Sequence, residues 1–130
     1  MALPQSDIDF LTHRGRLFKV AEEANMTCVM FPGYHLPSGL DRPQADLLIR
    51  LSPGFPDVPP DMWWFDPGVH FADGRTIQCT EAVEMHLGRS WQRWSRHLSA
   101  GQWQLGTDSL ESFLALIRRE LERYAVETVQ

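Results

Sequence analysis

The chain has 130 residues, 43% hydrophobic and 22% charged, which suits a single domain, 1–130, whose core needs neither a disulfide framework nor a metal. A net charge of −5 with no long basic run excludes nucleic acid as the main ligand, because phosphate binding needs clustered positive charge. No apolar stretch nears the roughly 20 residues that span a bilayer, so no membrane association is expected.

Ser6-Asp7-Ile8-Asp9-Phe10-Leu11 reads as a short first helix, capped by Ser6 or Asp7 and ended near Gly15. Arg16 to Ala21 and Met26 to Phe31 read as strands joined by a turn at 22–25. Pro32 to Pro43 is a proline- and glycine-punctuated loop that holds His35, and Ala45 to Leu51 is a third strand. Four prolines then fall within Ser52–Pro60. They fix φ and remove donors, so this stretch is an architectural, extended connection. Met62-Trp63-Trp64-Phe65 is a fourth strand, turned by Asp66-Pro67-Gly68.

From Val69 to Gln102 the periodicity is poor, and the segment reads as largely irregular, with a tight turn at Asp73-Gly74 and a helical turn over Glu81–Leu87. Within it, Trp91, Trp94 and Trp103 read as core anchors around Arg93, Ser95, Arg96 and His97. The last helix is the clearest element. Leu110, Phe113, Leu114, Ile117, Leu121 and Tyr124 share one face, with Asp108 and Glu111 forming a capping box. Strands between helices make this an α+β domain: an N-terminal helix, a four-stranded antiparallel meander, an irregular region and a C-terminal helix.

Cys28 falls inside the second strand and reads as a buried small hydrophobe. Two cysteines in a domain of this size make no disulfide framework, so both read as reduced thiols of a cytoplasmic protein. The N-terminus lacks the basic-then-apolar pattern of a secretory signal. His70, Cys79 and His86 fit no zinc spacing, and no cofactor is expected.

This arrangement resembles the ubiquitin-conjugating enzyme (UBC) fold over roughly residues 5–127. Phe55-Pro56-Asp57-Val58-Pro59-Pro60 stands where that family carries Tyr-Pro-x-x-Pro-Pro, and Trp103 followed by Leu110, Leu114 and Ile117 stands where it carries a tryptophan loop and a helix. The Trp-Ser-Arg-His run with Trp103 and Asp108 looks like a bacterial branch, the prokaryotic UBC-like family E. The resemblance implies an enzyme that accepts an activated ubiquitin-like C-terminus from an activating enzyme as an acyl intermediate. It then passes the acyl group to a target lysine. It also implies that the activating enzyme docks on the first helix and hairpin, at Arg14, Arg16 and Lys19.

Two registers locate the nucleophile. Counting back eight residues from Trp103, as in the family, reaches Ser95; counting forward from Pro59 through His70 reaches Cys79. The two differ by an insertion of about sixteen residues. The register anchored on Trp103 and the helix favours Ser95, acylated as an oxyester, with His97 as base and Arg96 or Arg93 at the oxyanion. The alternative is a thioester on Cys79. The family's His-Pro-Asn motif is absent, and His86 in His86-Leu87-Gly88 keeps only its histidine. A catalytically inactive module that binds a ubiquitin-like protein or an activating enzyme is the competing function.

Overall fold

A computed structural model describes residues 3–96, 102–104 and 106–128. Helix α1 (Gln5–His13) is followed by strands β1 (Lys19–Glu23), β2 (Met26–His35), β3 (Gln44–Leu51), β4 (Met62–Asp66), β5 (Val83–His86) and β6 (Arg89–Ser95), and by helix α2 (Leu110–Thr128). The strands form one antiparallel sheet in the order β1-β2-β3-β4-β6-β5. The α+β class stands, but the sheet has six strands where the sequence predicts four.

The extra pair is the hairpin β5–β6, inside the segment read as irregular. Its signals are weak for physical reasons. Strand β6 buries Trp91 on one face of the sheet and Gln92 and Trp94 on the other, so no polar-apolar alternation marks it. Its turn uses Leu87 and Gly88, both at positive φ (53° and 76°), without the Asn-Gly or Asp-Gly pair that advertises such a turn. Where a helical turn is expected over Glu81–Leu87, the chain instead forms strand β5, Val83–His86.

The helix-side face of the sheet supplies Val29, Phe31, Leu47, Ile49, Leu51, Trp63, Phe65 and Trp94 to a core closed by Leu110, Phe113, Leu114, Ile117, Leu121 and Tyr124 of α2. Trp63 and Trp94 stack at 5.8 Å, and Phe113 and Tyr124 meet them edge-on. The opposite, outer face carries its own cluster of Cys28, Leu48, Trp64 and Trp91. A shift of register between Phe31 and Tyr34 bends β2, where the Gly33 N–H donates to Asp46 Oδ1 at 2.8 Å. Gly39 lets the following loop touch α2, since a Cβ there would stand 2.6 Å from the Ala125 carbonyl oxygen.

The helix caps differ from expectation. Pro4 precedes α1, whose start has no side-chain cap. Asp7 instead reaches across the fold, and its Oδ1 accepts the Leu110 N–H at 3.2 Å. Asp108 turns back to accept the Gln104 N–H, leaving the start of α2 to Asp7 and to a Ser109–Ser112 pair.

Candidate functional site

Between the end of β6 and the C-terminal half of α2 lies a cleft of about 230 Å³, lined by residues that include Gln78, Cys79, Ser95, Arg96, Glu120 and Tyr124. Both nucleophile registers end here. The Ser95 N–H donates to the Cys79 carbonyl at 3.2 Å, and the Arg93 N–H to that of Ala82 at 2.9 Å. The sixteen-residue discrepancy between the registers is the hairpin β5–β6, which leaves Cys79 and returns beside it at Ser95.

The turn at Gln78–Cys79 is built from its flanks. Ile77 is fully buried, and the buried Thr80 hydroxyl donates to the Ile77 carbonyl at 2.7 Å. These two anchors push the intervening residues outward, and Cys79 is exposed at φ 60°, a left-handed conformation costly for a side chain with a Cβ. Gln78 is steadied by its side-chain N–H to the Tyr124 hydroxyl, at 3.1 Å.

Ser95 sits differently. It pairs in register with Met62, whose side chain joins the outer-face cluster. Directly opposed residues share a face, so register turns the Ser95 side chain away from α2, while its carbonyl accepts an Arg96 N–H at 2.8 Å. His97, its expected base, lies outside the described residues.

Arg96 points the other way, into the cleft. Its guanidinium donates to Glu120 Oε2 (3.2 Å), the Gln78 carbonyl (3.2 Å) and the Tyr124 hydroxyl (3.1 Å), and lies over the Trp94 and Tyr124 rings. With these donors spent on the protein itself, Arg96 clamps the Cys79 turn and the end of β6 to α2; it does not offer a free fork to an oxyanion. Arg93 is on the outer face, bound to Glu84 at 2.7 Å.

His86 is not part of the cleft. It ends β5 opposite Arg89, and Arg89 stands six residues, about 20 Å of strand, from Ser95. There it lies between Glu84 (3.1 Å) and Glu23 (3.4 Å) with its ring edge-on to Trp64. Burial pushes the Glu84 carboxyl up, but bonds from His86, Trp64 and Arg93 outweigh it and hold the group below its usual range. Glu23 is held low first by the Leu87 N–H.

Cys28 is 1% exposed in the outer cluster, where burial pushes its thiol up, against a smaller pull from Arg50. Arg14 and Arg16 line a separate groove of about 720 Å³ between α1, the bend of β2 and α2, lying over the Phe10 and Tyr34 rings. Lys19 is exposed at the start of β1, outside that groove.

The residues around the cleft that the sequence did not single out are Gln78, Glu120, Arg123 and the tip of Tyr124. Tyr124 closes the apolar stripe of α2, so its hydroxyl was the available signal. Away from the cleft, Trp103 donates its indole N–H to the Pro56 carbonyl of the proline connection at 2.9 Å.

Among the described residues no group of His, Cys, Asp and Glu is arranged to hold a metal, and no helix is long and apolar enough to cross a membrane. The family model described as prokaryotic E2 family E matches residues 3–124. No curated protein and no solved structure matches the chain.

Proposed function

The chain belongs to prokaryotic E2 family E, a family of ubiquitin-conjugating type, and from that premise we propose that it accepts the activated C-terminus of a ubiquitin-like protein on Cys79 and passes it to a target lysine. The observation that carries the choice of residue is the exposed thiol at a left-handed turn, held between two buried anchors and opening on the cleft. A thiol is a few per cent ionised at neutral pH and is intrinsically nucleophilic, so it needs less activation than a hydroxyl.

The chemistry is two acyl transfers. In the first, the Cys79 sulfur attacks the activated carbonyl, a C–S bond forms, the bond to the activating enzyme breaks, and the thiol proton leaves with the departing group. In the second, the target amine attacks that carbonyl, the C–S bond breaks, and the amine proton returns to the Cys79 sulfur. Arg96 positions the turn for both steps through the Gln78 and Ser95 carbonyls. A thiol acceptor works in a reducing compartment, which agrees with a cytoplasmic protein. Arg14, Arg16 and Lys19 remain the proposed contacts of the activating enzyme.

Ser95 is the second reading, favoured by its place beside Cys79 across one backbone hydrogen bond. The experiment mixes the protein with a ubiquitin-like protein, the matching activating enzyme and ATP. A thiol-labile adduct lost in Cys79→Ala supports the proposal. A thiol-resistant, hydroxylamine-labile adduct lost in Ser95→Ala moves the acceptor to the serine. Absence of any adduct leaves a binding module.

A further inference from the structure

The sheet ends in two unlike edges. β1 is exposed and carries Lys19, Glu22 and Glu23, the charged residues with which proteins guard a free edge. β5, at the other end, carries Val83 and Met85, 67% and 64% exposed. Their charged neighbour Glu84 is drawn to the outer face by Trp64 and Arg93.

The hairpin register decides which backbone groups of β5 are free. His86 and Arg89 flank a two-residue turn, which makes them a hydrogen-bonded pair. Glu84 with Trp91 is the next such pair. Val83 and Met85 lie in the alternate pairs, so their N–H and C=O groups point away from β6. Their side chains share the face of Gln92 and Ser90, and Gln92 is buried on the helix side between Val69 and Trp94. Below them a hollow of about 410 Å³ opens, lined by Thr76, Thr80, Glu81 and Val83 among others. The same chain leads back along β6, through Ala82, to Cys79.

We propose that the free edge of β5 docks the extended C-terminal tail of the acyl-donor protein, which adds as an antiparallel strand and delivers its terminal carbonyl to Cys79. This rests on Cys79 being the acceptor. A tail whose last carbonyl is at Cys79 and whose earlier residues run toward Met85 travels opposite to β5. At about 3.3 Å per residue it needs roughly seven extended residues to reach Met85. Main-chain bonds to Val83 and Met85 supply affinity, and the hollow takes alternate side chains of the tail. The occupant is an extended tail, because free ladder groups, exposed apolar side chains and the acceptor thiol all follow one edge.

The test uses two synthetic thioesters. One is an octapeptide of alternating valine and serine ending in two glycines; the other is the glycine dipeptide alone. Intact mass follows acylation of Cys79, with Cys79→Ala as the blank. The octapeptide is expected to react at least tenfold faster than the dipeptide. The double variant Val83→Lys with Met85→Lys, both at exposed positions, is expected to bring the octapeptide down to the dipeptide rate and leave the dipeptide rate unchanged. In the octapeptide adduct the Val83 and Met85 amides become protected from hydrogen exchange. Equal rates for the two donors, a gain that survives the double variant, or unprotected amides overturn the docking while leaving Cys79 as acceptor. No acylation from either donor removes the acceptor and the docking together. A dimer in sedimentation that the double variant dissolves gives the edge to a second copy and overturns the tail.

Discussion

The two cysteines of this chain occupy opposite environments. Cys28 lies within β2, in one buried cluster with Leu48, Trp64 and Trp91, in regular strand geometry, with its thiol pushed up by burial. Cys79 lies on a turn, exposed, with a backbone angle that its side chain disfavours. The difference teaches where a fold keeps a reactive group. A strand interior makes a thiol inert by desolvating its charged form. A strained turn between buried anchors leaves one exposed at the surface, at a cost in stability met by the packing around it.

The largest effect that sharpens this contrast is kinetic. Iodoacetamide at pH 8 is expected to label Cys79 at least a hundredfold faster than Cys28 in the folded protein, read by mass spectrometry of digests. Comparable rates would remove the contrast. The outer cluster then tests why Cys28 is quiet. Trp64→Ala opens that cluster and deletes the indole bond to Glu84, and is expected to destabilise the fold by about 3–5 kcal/mol in urea melts and to raise Cys28 labelling several-fold. At the other thiol, Cys79→Gly relieves the left-handed turn. It is expected to exceed Cys79→Ala in stability by about 1 kcal/mol, with neither variant forming an adduct.

The smallest effect is a pair of opposed pH dependences. Glu84 has its carboxyl held low in the fold, so its contribution is present above the usual glutamate pKa and is lost as pH falls through the lowered value. Glu84→Gln should flatten that acid limb by less than about 1 kcal/mol, since the group is partly solvated. Asp7 has its carboxyl pushed up by burial, against the Leu110 N–H that pulls it down. Its fold favours the protonated form, so stability falls as pH rises from the usual aspartate value through the raised one. Asp7→Asn, which keeps an oxygen for the Leu110 N–H, should abolish that fall. Acid titrations of the two variants with the same slope would refute both assignments.

Much of the scaffold was legible in the chain. The stripe from Leu110 to Tyr124, the proline connection and the presence of four strands before Pro67 declare themselves through periodicity or through the geometry of proline; the bounds do not, since β1 runs Lys19–Glu23 where Arg16–Ala21 is expected, and β2 runs through Pro32 and Gly33 to His35 where a loop is expected. The hairpin did not, because β6 buries a tryptophan on each face among polar residues and its turn carries a leucine at positive φ. The site inherited that gap. Counting residues gave two positions sixteen apart, and only the folded-back hairpin makes them neighbours. Arg96 was legible as a cation near the site, but not as a clamp, since its acceptors come from Gln78, Glu120 and Tyr124. Asp7 reads as a local cap in the sequence because sequence patterns carry no sign of a partner 103 residues away.

That long-range bond has a consequence for synthesis. While the ribosome is still adding α2, the Asp7 carboxylate has no Leu110 amide to meet, and the face of the sheet that Leu11 shares with α2 has no lid. The nascent chain therefore carries a bare apolar surface until α2 clears the exit tunnel, and α1 and α2 set together.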